Sequence, residues 1–133
     1  MSWPAWQLRA ENGDALIEGL LALGLVLFVV VVGVQALAYA HARSVAIAAA
    51  QDGARAAAAD GADAGVVRAD AVLQAAGGAG AGLHATVSGQ GDEITVSVAG
   101  AAPRLFPLSL LLPEVRASAS LPLERYPTAE AAP

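Results

Sequence analysis

Glu18 is the side chain of this sequence most able to do chemistry by virtue of its place: a carboxylate at the mouth of an apolar run, Gly19 to Ala40, that contains no charged residue. A carboxylate at the edge of hydrocarbon is costly unless it pairs with a cation or snorkels to water. An amine is a suitable partner; the plainer reading is an interfacial charge that marks the end of a span. The other reactive side chains form no site. His84 falls on the polar side of a strand pattern, with no second histidine or carboxylate at metal-ligand spacing, and His41 simply follows the apolar run. Ser88, Ser97, Ser109, Ser118 and Ser120 stand in no nucleophile motif. The GGAGAG stretch at 77–82 has no lysine and follows a helical pattern rather than a strand, so it is no phosphate loop. The chain is read as non-enzymatic, with no cofactor and no metal.

The elements around Glu18 can be read from periodicity. A run of about 22 apolar residues rises about 33 Å as a helix, enough to cross a hydrocarbon core of about 30 Å. Val29 to Val32 are β-branched, but the run far exceeds the length of a strand, about 4–8 residues. Trp3 and Trp6 precede it, at a membrane interface or in a floppy terminus. Beyond it, Ala40 to Asp60 is alanine-rich and helix-favouring, with His41, Ser44, Gln51, Asp52 and Arg55 near one side. The helix is therefore expected to continue unbroken out of the membrane and to stop at Gly61. Asp52 and Arg55, three apart, add a few tenths of a kcal/mol.

A shorter helix follows over 63–76, with Asp63 as its expected N-cap, Val66, Ala69, Leu73 and Ala76 on one face, and Gly77-Gly78 as its stop. GGAGAG then reads as a flexible linker. From Leu83 the period changes to two. Leu83, Ala85 and Val87 alternate with His84, Thr86 and Ser88, and Ile94, Val96 and Val98 repeat the pattern after a GQGD turn, so the pair reads as a hairpin. Val115, Ala117, Ala119, Leu121 and Leu123 form a third alternating set; Pro122 cannot donate to a ladder, so this strand lies at an edge or ends there. The expected fold class is α+β: a long transmembrane helix continuing outside the membrane, a second short helix, and a small three-stranded antiparallel sheet whose apolar face one of the helices must cover. The corresponding divisions are a leader at 1–13, the long helix at 14–60, an α+β domain at 61–126 and a disordered tail at 127–133.

Composition limits the partners. Apolar residues make up 56% of the chain and aromatics only 5%, so the core must be built from alanine, valine and leucine and buries little area per residue. The net charge is −5, lysine is absent and the arginines are scattered, which leaves no basic stripe for nucleic acid. The absence of cysteine excludes disulfides and thiolate metal sites without arguing against export.

Two motifs in order carry a family resemblance. Gly13-Asp14-Ala15-Leu16-Ile17-Glu18 leads into the apolar span, and Ala48-Ala49-Ala50-Gln51-Asp52-Gly53-Ala54-Arg55-Ala56-Ala57-Ala58 follows it. Together they resemble the TadE-like minor pilins of tight-adherence (Flp) pilus systems, within the type IV pilin superfamily; family members often have an aromatic residue where this chain has Gly19. The resemblance implies a prepilin leader cut between Gly13 and Asp14 by a prepilin peptidase, and pairing of Glu18 with the new terminal amine of a neighbouring subunit. It also implies a packing surface at Ala49, Ala50, Gly53, Ala54 and Arg55. The implied partners are other pilins, pilus assembly machinery and membrane lipid, in a homo- or hetero-oligomer. The implied place is the bacterial cytoplasmic membrane, single-pass, with the C-terminal domain outside, for adhesion or transport across the envelope.

Two other functions compete. Ala36-Leu37-Ala38, Ala38-Tyr39-Ala40 and Ala40-His41-Ala42 each fit a signal-peptidase pattern, so the chain could release a secreted domain after Ala42. Against this, a signal core is about 7–15 residues with a basic flank, whereas this run is longer and is preceded by Glu11, Asp14 and Glu18. The third reading is an uncleaved single-pass anchor subunit of another membrane complex.

Overall fold

A computed structural model describes residues 5–106 and 112–123, with side chains from Gly13 onward. The order of elements is α1 (Ala5–Asp60), α2 (Ala62–Ala75), a 3-10 turn (Gly77–Ala79), β1 (Leu83–Gln90), β2 (Glu93–Gly100) and β3 (Val115–Pro122). The fold is α+β, as the periodicities indicate. The chain divides into two units, residues 1–36 and 37–133. Residues 1–4 of the leader lie outside the described residues, as do 107–111 in the connection to β3 and 124–133, which include the tail.

No proline occurs between Pro4 and Pro103, so nothing removes an amide from the ladder of α1. In the first unit the helix presents its apolar side chains outward, Leu20 at 71% exposure among them. In the second unit one face of α1 is spent on a core. Ala42, Ala46, Ala49, Ala50, Gly53, Ala54 and Ala57 recur at helical spacing and are buried, while His41, Ser44, Gln51 and Arg55 are exposed.

Gly61 ends α1 with φ of 97°, a conformation that favours glycine, and its amide donates to the Ala57 carbonyl at 3.0 Å. A single residue therefore separates the two helices. Asp63 is not the N-cap: Gly61 holds that position without a side-chain hydrogen bond, and Asp63 falls in the first turn of α2. The reason is that the positive φ of Gly61 starts the helix sooner than an Asp63 cap would allow. Asp63 still complements the positive end of the helix dipole. The buried face of α2 is Gly65, Ala69 and Leu73, with Val66 and Ala76 only half-buried.

The glycine-rich stretch is a folded element rather than a linker. Gly77, with φ of 59°, follows α2 and opens the 3-10 turn, and Gly80 is buried so closely against Leu73 that a Cβ there would collide with the Leu73 carbonyl. The hairpin between β1 and β2 closes through Gly91 and Asp92, with φ of 65° at Gly91 alone, the II′ pattern that matches strand twist.

All three strands pair antiparallel in the order β1-β2-β3. Ile94, Val96 and Val98 of the central strand are buried, as are Leu83 and Val115 at the strand starts. Ala117, Ala119, Leu121 and Leu123 are half-buried on that same face. Among the described residues Val96, Val98 and Val115 are the largest side chains that are wholly buried, so the layers can meet closely.

Gly65 marks the close approach of α2 to α1: a Cβ on it would stand 2.5 Å from the Ala57 Cβ and 2.9 Å from the Gly53 carbonyl oxygen. Gly65→Val is expected to destabilise the domain by about 1–3 kcal/mol through overpacking, seen as faster amide hydrogen exchange across α2 and β2. Gly78→Ala meets no atom within 4 Å and is expected to stay within about 0.5 kcal/mol of the parent.

Candidate functional site

The sequence-derived candidates fall in two places. Gly13, Asp14 and Glu18 lie on α1 in the first unit, so the Gly13–Asp14 bond sits inside a helix. A protease that takes its substrate extended has to unwind that turn first. Glycine lowers the barrier, since it costs a helix interior about 1 kcal/mol relative to alanine. A Cβ on Gly13 would meet nothing within 4 Å, so close packing does not require glycine at this position.

Asp14 and Glu18 are both exposed and stand four residues apart, on one side of the helix. With Ile17, Leu21, Ala22 and Leu25 they line a shallow open groove along it. Among the described residues neither carboxylate has a partner. Like charges at this spacing disfavour an isolated helix by a few tenths of a kcal/mol. The carboxylates therefore gain from any cation brought to this flank, and an apolar stripe runs directly below them.

The second place is the alanine segment. Ala49, Ala50 and Ala54 have no exposed surface, and Gly53 is buried beside them. A Cβ on Gly53 would lie 2.9 Å from the Gly65 carbonyl oxygen, 3.0 Å from the Ala69 Cβ and 3.1 Å from Val96 Cγ1. The small residues are thus occupied within the chain, by α2 and β2. Arg55 does not join that buried stripe. It is exposed and donates to Asp52 Oδ1 at 2.8 Å, while Arg68 of α2 reaches Asp52 Oδ2 at 3.4 Å.

Sequence reasoning missed Gly65 and Arg68. A signal for Gly65 was available: it follows the Gly61 stop as Gly53 precedes it, two residues without side chains in helices joined by a single glycine. Arg68 gave no such signal, because its pairing depends on how α2 folds back.

His84 is exposed on the outer face of β1, and His41 on the exposed side of α1. Among the described residues no three histidine, aspartate or glutamate side chains are grouped to hold a metal ion. The outer face of the sheet carries Thr86, Ser88, Thr95, Ser97, Ser118 and Ser120, with the Thr95 and Ser120 hydroxyls 2.8 Å apart.

Comparison with known proteins finds no matching family model, no similar curated protein and no similar solved structure. By length and composition, α1 from Gly13 onward is able to cross a membrane.

The Asp52 pairs lie at the surface, where ion pairs contribute little. Asp52→Asn is expected to cost at most about 1 kcal/mol, and less in high salt. Chemical denaturation of the full chain in detergent at two ionic strengths measures both.

Proposed function

We propose that this chain is a TadE-like minor pilin or pseudopilin, a structural rather than catalytic subunit. It would be held in the bacterial cytoplasmic membrane with its α+β domain outside and would take part in assembling a tight-adherence pilus. The observation that carries the reading is the continuity of α1. One helix contains the Gly13–Glu18 flank and the apolar span, and it also supplies the alanine face from Ala42 to Ala57 to the core of the second unit. An element of that kind serves as membrane anchor and as stalk at once. The exposed Glu18 supports the reading further, because a carboxylate at the head of a span favours a cationic partner.

The same continuity weighs against the secreted-domain alternative. Ala42, after which a signal peptidase would cut, is wholly buried, at the head of the stripe that packs the core. Cleavage there would take Ala42 and the half-buried Tyr39 away from the core they pack.

The intact mass of protein recovered from membranes and medium tests the proposal. Loss of residues 1–13 is the expected result. Release of a fragment lacking about 42 residues would overturn it in favour of secretion, and full-length protein in the membrane would favour a plain anchor. Gly13→Leu is expected to abolish the mass shift and leave the uncut chain in the membrane. A normally processed Gly13→Leu protein would count against the assigned bond.

A further inference from the structure

Within the second unit two contacts fix the direction in which the sheet runs along α1. Val96 meets Gly53, where a Cβ would stand 3.1 Å from Val96 Cγ1. Leu121 and Pro122, the register partners of Ile94 and Glu93, share a pocket with Arg55, Ala58 and Ala59. Passing along β2 from Glu93 to Gly100 therefore leads from the Asp60 end of α1 towards Leu37. The step from Val96 to Gly100 is about 13 Å of strand, the length of about nine residues of helix. It carries Gly100 and its partners Leu83 and Val115 towards the turn of α1 that holds Ser44. The helices agree: α2 runs antiparallel to α1, with Gly65 against Ala57 and Ala69 against Gly53. Its Ala75 end and the 3-10 turn thus lie at this same end, where the Ala101 amide donates to the Gly82 carbonyl at 3.1 Å.

The sequence around this end is nearly bare of charge. Gln74 to Leu83 holds none, and Ala99 to Pro113 holds Arg104 alone. Leu105 beside it is 51% exposed, and Arg104, Ala81 and Ala101 are exposed as well. Glu114, which follows, is paired with Arg116 at 2.7 Å. The opposite end of the unit carries Asp60, Asp63, Asp92 and Glu93, all exposed. α1 enters the unit at the bare end, directly after the uncharged run that closes at Ala40, and its exposed His41 and Arg43 come next.

We propose that this bare end of the second unit rests on the bilayer that α1 crosses, with Leu105 seated at the boundary of headgroups and acyl chains and Arg104 and Arg43 at the phosphates. Lipid is the occupant because the chain itself brings it there: the apolar span leads straight into this end of the unit. Apolar side chains held beside a membrane bury themselves at that boundary, and arginine reaches back to the headgroups. The lengths suffice. From Gly100 on to Leu105 the chain reaches up to about 17 Å, whereas the helix from Ser44 to Ala40 spans about 6 Å. The carboxylates, which an anionic surface repels, are gathered at the far end. The inference rests on one part of the pilin reading, that α1 spans a membrane.

The test uses the full chain in nanodiscs of equal parts phosphatidylcholine and phosphatidylglycerol. Because the chain has no cysteine, Leu105→Cys, Asp63→Cys and Leu27→Cys each take a single nitroxide label. Collision of the label with oxygen, which concentrates in lipid, is compared with collision with a water-soluble nickel chelate. Oxygen is expected to be several-fold the more effective at 27 and 105, with 27 the deeper, and nickel the more effective at 63. Leu105 stands half out of the protein, so the labelled chain is expected to keep the circular dichroism of the parent.

Nickel dominance at 105, with 27 still in lipid, overturns the lipid contact and leaves the span standing. A label at 105 shielded from both reagents overturns it too, since protein then covers the leucine. Nickel dominance at 27 removes the span itself, and the proposal with it.

Discussion

The second unit depends on two glycines that let backbones touch. Gly53 of α1 and Gly65 of α2 approach so closely that neither has room for a Cβ, and Val96 of the central strand packs at the same point. Helices joined by the single residue Gly61 can lie this near only if their facing side chains are absent or very small. The alanines flanking Gly53 meet that condition over several turns of α1. Three layers then share one contact zone, which is how a sequence with few large apolar side chains outside its span still excludes water from a core.

Most of the architecture was legible because hydrophobic period survives even in an alanine-rich chain. The alternation in 83–88, 93–98 and 115–123 reads directly as three one-faced strands, and the structure pairs them in sequence order. Pro122 identified an edge strand for the right physical reason. The errors came where glycine acts. Asp63 looks like a cap by residue type, but the backbone freedom of Gly61 moves the start of α2 ahead of it. GGAGAG looks flexible by composition, yet Gly77 and Gly80 are there for a turn and for a close approach to Leu73. Composition reports what a backbone can do; which of those conformations is used depends on contacts made elsewhere.

The candidate site was legible to a different degree. The position of Glu18 at the head of an apolar run follows from charge and length, and its helical relation to Asp14 follows from spacing. The alanine segment was less transparent. An all-small helix face fits a neighbouring subunit or a neighbouring element of the same chain equally well, and no pattern within the helix distinguishes them. The structure gives this stretch an intramolecular occupant. Surfaces left for other molecules therefore include the apolar helix of the first unit, the outward side of α1 near Ile47, and Leu105 in the connection between β2 and β3.

A core of this kind has an unusual relation to mutation. Alanine and glycine have no side-chain rotamers to lose on folding, so their burial carries almost none of the entropic cost that leucine or methionine would. It also leaves little to trim. Cavities arise when large buried side chains are shortened, and from Ala42 to Ala57 the buried residues of α1 are all alanine or glycine. Apart from alanine to glycine, which costs a helix about 1 kcal/mol, drift at these positions can proceed only towards greater volume, against a wall of backbone. The same smallness that lets a poorly aromatic sequence fold makes its long helix a part whose sequence can change freely on one side and scarcely at all on the other.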